Sequence, residues 1–89
     1  ILVSHSPPEG TQLDMTTQGE HVGSSSIRNF IIAEKPTLVI CGHIHEGRGV
    51  DKLSETLIVN PGSAAHGWAA LVDLNNRVRV KLCSLSHKE

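Results

Sequence analysis

Leu38-Val39-Ile40-Cys41-Gly42-His43-Ile44-His45-Glu46-Gly47-Arg48-Gly49 decides the reading of the chain. A short aliphatic run ends in a glycine, and two histidines follow with one residue between them. In an extended segment side chains at i and i+2 lie on one side. His43 and His45 are therefore expected to project together from the end of a buried strand, where open α/β sheets place their ligand sites. Two imidazoles on a rigid strand end are natural metal ligands, and neutral imidazole suits Mn, Fe, Ni and Zn class ions.

Upstream, Pro36 ends a helix-like segment. Ser24-Ser25-Ser26 supplies N-cap hydroxyls, and Ile27, Phe30 and Ile31 recur at helical spacing. A helix over 25–34 follows, stopping before Pro36 because the residue preceding a proline disfavours the α region. Its apolar stripe is read as a core face. Further back, Ile1-Leu2-Val3 is β-prone and must stop before Pro7-Pro8, neither of which donates to a ladder. His5 thus sits at a strand end, as His43 does. The unit strand, helix, strand is a crossover, right-handed by default, so the two strand ends meet along one sheet edge. His5 becomes a third candidate ligand.

Residues 9–23 show neither helical nor strand period and form a loop long enough to border a site. Asp14, Glu20 and His21 are its chemically able residues, each read first as a solvated group, with His21 a candidate substrate contact. Downstream, 46–51 is read as a glycine-rich turn in which Arg48 is a candidate anion contact, with a solvent-facing side chain as the equal alternative. Thr56 to Val59 is the next strand, stopped by Asn60-Pro61-Gly62-Ser63. His66 follows in the loop as a candidate substrate residue. Trp68 to Leu74 and Val78 to Leu85 are two strands joined by Asn75-Asn76, which suits a tight hairpin. Arg77, Arg79 and Lys81 alternate with Val78, Val80 and Leu82, giving one wet and one dry face. His87 belongs to a tail over 86–89 expected to fray.

The composition excludes several classes. Net charge is −1 without a basic cluster, so no nucleic-acid or membrane patch is indicated. Phe30 and Trp68 are the sole aromatics, too few for a base-stacking platform. Nothing approaches the roughly 20 apolar residues of a membrane span, and no leader is evident. Cys41 and Cys83 lie in apolar runs and read as free buried thiols of a reducing, cytoplasmic setting. The opening aliphatic run, with no starting methionine, reads as a chain that begins inside a domain. What the histidines lack is negative charge: a hydrolytic pair of divalent ions needs bridging carboxylates, and Asp14 and Glu46 are on loops.

Taken in order, SHSPP, CGHIHEGRG and VNPGS resemble the C-terminal half of a calcineurin-like metallophosphoesterase, of the small single-domain type. The resemblance runs over all 89 residues. It implies an α/β chain forming the C-terminal half of an αββα sandwich, with residues 1–89 as part of one domain whose N-terminal half is missing. The expected order is β-α-β, then three further strands, the last two a hairpin. By the resemblance His5 and His43 bind one divalent metal and His45 the other, in the full-length protein. A hydroxide between the ions attacks phosphorus in line. The implied substrate is a phosphomonoester or phosphodiester.

The family's bridging aspartate, asparagine ligand and leaving-group histidine come from motifs absent here. The 89 residues alone are expected to hold at most one ion weakly and to be inactive. The missing half is the implied partner, and exposed sheet edges make self-association an expectation. Two other readings remain: a non-catalytic scaffold with this fold, and a structural zinc site built from Cys41, His43 and His45.

Overall fold

A computed structural model describes residues 1–75 and 77–84. The elements are β1 (Leu2–Val3), α1 (Ser25–Glu34), β2 (Leu38–Ile40), β3 (Gly49–Leu53), β4 (Thr56–Asn60), β5 (Trp68–Asp73) and β6 (Arg79–Ser84). Short 3₁₀ turns cover His45–Gly47 and Ala64–His66. The architecture is mixed α/β. One sheet has the order β1-β2-β4-β3, and β5 and β6 form a second.

The crossover is present as expected. β1 pairs parallel with β2, and β2 parallel with β4, so the ends after Val3, Ile40 and Asn60 lie along one edge of the sheet. The helix has the expected limits. Ser24 caps it by accepting from the Ile27 amide, and Lys35 closes it in the left-handed region with its amide on the Ile31 carbonyl. Ile27 and Ile31, one turn apart, pack on the sheet, and Ile31 is fully buried. Phe30 departs from the reading of a single core stripe: it lies off that line and is 47% exposed.

The core gathers Leu13, Ile31, Val39, Cys41 and Ile58, with Leu2, Ile27 and Leu53 packed against it. Register explains the set. Leu2, Val39 and Ile58 are opposite one another across three strands, so they share a face. Leu13 is the loop's contribution, and it draws residues 9–23 onto the sheet.

One strand was not expected. The stretch 46–51, read as a turn, gives its second half to β3, which pairs antiparallel with β4. The two-residue link Ser54-Glu55 carries Ser54 at φ 58. Four strands, not three, therefore follow the crossover. β3 hid from the hydrophobic pattern because its inward positions are Gly49, Asp51 and Leu53, only one of them bulky and apolar.

The β5–β6 pair runs in register from Trp68↔Ser84 to Asp73↔Arg79, and Arg79 and Lys81 are exposed while Val80 and Leu82 are half-buried, as the alternation implies. Asn76 of the expected turn, Leu85 and the tail with His87 lie outside the described residues. Among the described residues no helix is long and apolar enough to cross a membrane.

Candidate metal and phosphoester site

His5 follows β1 and His43 follows β2, and the pairing of these strands brings the two rings together. His5 Nε2 and His43 Nδ1 are 2.9 Å apart, with ring centroids 4.5 Å apart. Backbone bonds fix the two approaches: the Ser4 amide donates to Ile40, and the Gly42 amide donates to His5. Between neutral rings this contact is a hydrogen bond, one nitrogen donating and the other accepting. The same spacing fits a shared ion, since two nitrogens each about 2.0–2.1 Å from one metal stand roughly 2.9–3.4 Å apart. The donor set of paired imidazoles also suits such an ion.

His45 goes elsewhere. The expectation that His43 and His45 project together rested on extended backbone, and the backbone is not extended here. His43 sits at φ 68, in the left-handed region, and His45 opens a 3₁₀ turn. Between them Ile44 is buried and anchors the loop. The His45 ring instead meets His66 edge-on, with centroids 6.2 Å apart. His66 thus enters through a partner the sequence did not name. Among the described residues no three His, Cys, Asp or Glu side chains converge as ligands.

Cys41 takes no part. It is buried, its Sγ lies 3.6 Å from the Val59 carbonyl, and burial pushes the thiol up to about 12. His43 meets His5 and His45 meets His66, and among the described residues Cys41, His43 and His45 do not converge, so the reading of a Cys41-His43-His45 zinc site is set aside. Cys83 is also free but only half-buried, which corrects the reading of two buried thiols.

The loop over 9–23 departs most from expectation. Asp14, read as a solvated group, is fully buried. Its oxygens accept from the amides of Gly10, Thr11 and Gly23 and from His21 Nδ1 at 2.6 Å. Burial alone would raise its pKa, but the His21 hydrogen bond and the Gly23 and Gly10 amides outweigh it and hold the carboxyl below its ordinary range. Glu20 is exposed, as read. The loop borders the histidine turn: Gly47 lies against the Leu13 backbone so closely that no Cβ fits, and the Gln12 amide donates to Asp51.

Arg48, read as a candidate anion contact or a solvent-facing side chain, is engaged within the fold. Its Nε donates to the Pro61 carbonyl and its Nη2 to the Cys83 carbonyl, and its guanidinium lies 4.1 Å from the Trp68 ring centroid. Asn60 is the residue sequence reading undervalued. Taken there as a turn signal, it is 1% exposed, donates to the Ile44 carbonyl and accepts from the Gly62 amide. Its position in VNPGS, just after a buried strand, was the available signal.

Comparison with known proteins agrees with this architecture. The chain is 44% identical over 70 residues to the uncharacterized protein MJ1162 of Methanocaldococcus jannaschii, a match covering 74% of this chain and 32% of that protein. One crystal structure superposes on 93% of the chain at a TM-score of 0.81 and 31% identity, over 32% of its own length. The crystal structure of TT1561 of Thermus thermophilus superposes on 93% at a TM-score of 0.63 and 20% identity, over 33% of its length, a likeness of fold. The chain therefore spans about a third of the length of the relatives it matches. The model of the metallophosphoesterases, calcineurin superfamily, matches residues 1–84. A chain that carries this match over nearly its whole length, with its paired histidines at neighbouring parallel strand ends, belongs to the calcineurin superfamily of metallophosphoesterases.

Proposed function

We propose that this chain supplies His5, His43 and His45 to the two-metal centre of a phosphoester hydrolase whose carboxylate and asparagine ligands lie outside residues 1–89. The observation that carries the reading is the 2.9 Å approach of His5 Nε2 and His43 Nδ1 from adjacent strand ends. His5 and His43 would hold one divalent ion of the Mn, Fe, Ni or Zn class and His45 the second. Bound ions of this kind supply Lewis acidity toward phosphoryl oxygen and make water a nucleophile at neutral pH.

What this chain contributes is position. Asn60 holds the Ile44 carbonyl and so the turn carrying both histidines. His66 meets His45 edge-on, which would put it beside a substrate held at the second ion. β1 is the edge strand of its sheet, with Val3 72% exposed and Ile1 67% exposed. This edge is where the rest of the domain would join, or where copies of the chain would associate in its absence. A scaffold function is disfavoured because every histidine implied for this part is retained.

Metal content measured by mass spectrometry, Co(II) absorption and hydrolysis of a chromogenic phosphodiester test the reading. The 89 residues are expected to take up one ion weakly, with d–d bands and no thiolate charge-transfer band, and to turn over negligibly. His5→Ala and His43→Ala each abolish the uptake. Uptake unaffected by either substitution, or full turnover by these residues alone, would sink the proposal.

A further inference from the structure

The described surface carries an open cleft of about 310 Å³ lined by Glu9, Gly10, His21 and Arg28, sharing no residue with the histidine pair. Its polar side chains are held in place. Asp14 holds His21 by Nδ1 at 2.6 Å, and an ionised carboxylate only accepts, so Nδ1 carries the proton. In the neutral ring Nε2 keeps its lone pair and is the nitrogen left for a ligand, on a side chain 41% exposed. Arg28 is tethered through Nη1 to the Glu9 carbonyl at 2.9 Å. Gly10, at φ 83, makes room for that guanidinium, since a Cβ there would meet Nη1 at 2.9 Å.

The complementarity selects a ligand class. With the His21 ring neutral, Glu9 and Arg28 cancel in charge, and the Asp14 carboxylate is spent on three backbone amides and His21, so no net positive charge calls for an anion. The lining residues offer two acceptors, the Glu9 carboxylate and the neutral His21 Nε2, and one donor fork, that of Arg28. Neither Phe30 nor Trp68 lines the cleft, so no Phe or Trp face is offered to a base. We propose that the cleft binds a neutral polyol, a ribose-like or glycerol-like vicinal diol. Its hydroxyls donate to Glu9 and His21, and its oxygens accept from Arg28. The loop that builds the cleft also presses Leu13 against Gly47, two residues from His45. That the diol is the alcohol portion of the phosphate ester rests on the function proposed above; the diol site itself does not.

The test uses the 89-residue chain with chelator present, so that it is independent of metal uptake. D-ribose is titrated while the Gly10 amide and the His21 ring resonances are followed by NMR, with inorganic phosphate as the second arm. Saturable shifts at millimolar ribose are expected, weakened about five- to tenfold in Glu9→Ala and in Arg28→Met. Glu9→Ala leaves the backbone bond to Arg28 in place and so keeps the loop folded. Absence of a saturable shift, unchanged affinity in Glu9→Ala, or tighter binding of phosphate than of ribose would each overturn the proposal.

Discussion

The Asn60 side-chain amide donates to the Ile44 carbonyl at 2.9 Å, from the buried end of β4 to the turn between His43 and His45. Its carbonyl oxygen takes the Gly62 amide at 3.0 Å, so one side chain fixes both loops at this edge of the sheet. Asn60→Leu keeps the volume but leaves two backbone groups without their partner. An unpaired buried polar group costs about 1–3 kcal/mol, so the variant should lose at least about 2 kcal/mol in urea unfolding. Metal uptake should fall even where the variant is folded. An unchanged midpoint would show that water or a shifted loop replaces the amide.

His43 pays for its place with a left-handed backbone, φ 68, a conformation that costs an L residue roughly 1–2 kcal/mol. Comparing His43→Gly with His43→Ala removes the ring in both and isolates the backbone. The glycine variant should be more stable by about 1 kcal/mol, although glycine ordinarily loses that comparison. Neither variant should bind the ion proposed for the His5–His43 pair. A more stable alanine variant would mean that the loop relaxes out of the left-handed region.

The crossover and helix were legible because their signals are local: Ser24 caps, Pro36 stops, and the sheet takes the aliphatic runs. The strand-end positions of His5 and His43 were legible for the same reason, and their contact follows from parallel pairing. The direction of His45 was not, since strand alternation ends at Gly42 and a 3₁₀ turn replaces it. Asp14 was misread because burial of a carboxylate depends on amides from both ends of a loop, at Gly10, Thr11 and Gly23. That convergence has no periodicity. β3 escaped because its inner face holds one large apolar side chain, Leu53, and its pairing with β4 supplies the rest.

Asp14 gives the chain an acid limit. Its folded pKa lies below the ordinary 3.8, so the unfolded chain binds the proton more tightly and acid favours unfolding. The stabilisation is whole above about pH 4 and is lost as pH falls through the folded value. Asp14→Asn replaces one carboxylate oxygen by an NH2 that meets two N–H donors, Gly10 and Gly23 at one oxygen or Thr11 and His21 at the other, at a cost of roughly 1–3 kcal/mol at pH 7. Urea midpoints of the two proteins should therefore differ at neutral pH and converge below about pH 4. A difference that persists undiminished into strong acid would remove ionisation from the explanation.

Arg48 joins the two sheets. Its Nε reaches the Pro61 carbonyl after β4, its Nη2 reaches Cys83 on β6, and its guanidinium lies over Trp68 on β5. Lysine keeps the charge but has a single ammonium in place of the planar fork, and cannot stack on the indole while donating in two directions. The stacking is worth about 0.5–1 kcal/mol at a partly exposed site, and each carbonyl bond adds about 1 kcal/mol. Arg48→Lys should thus lose roughly 1–2 kcal/mol and shift Trp68 emission to the red, both in the absence of any ligand. That ligand-free readout separates a tie between sheets from an anion contact. A lysine variant with native stability and native emission would return Arg48 to the substrate.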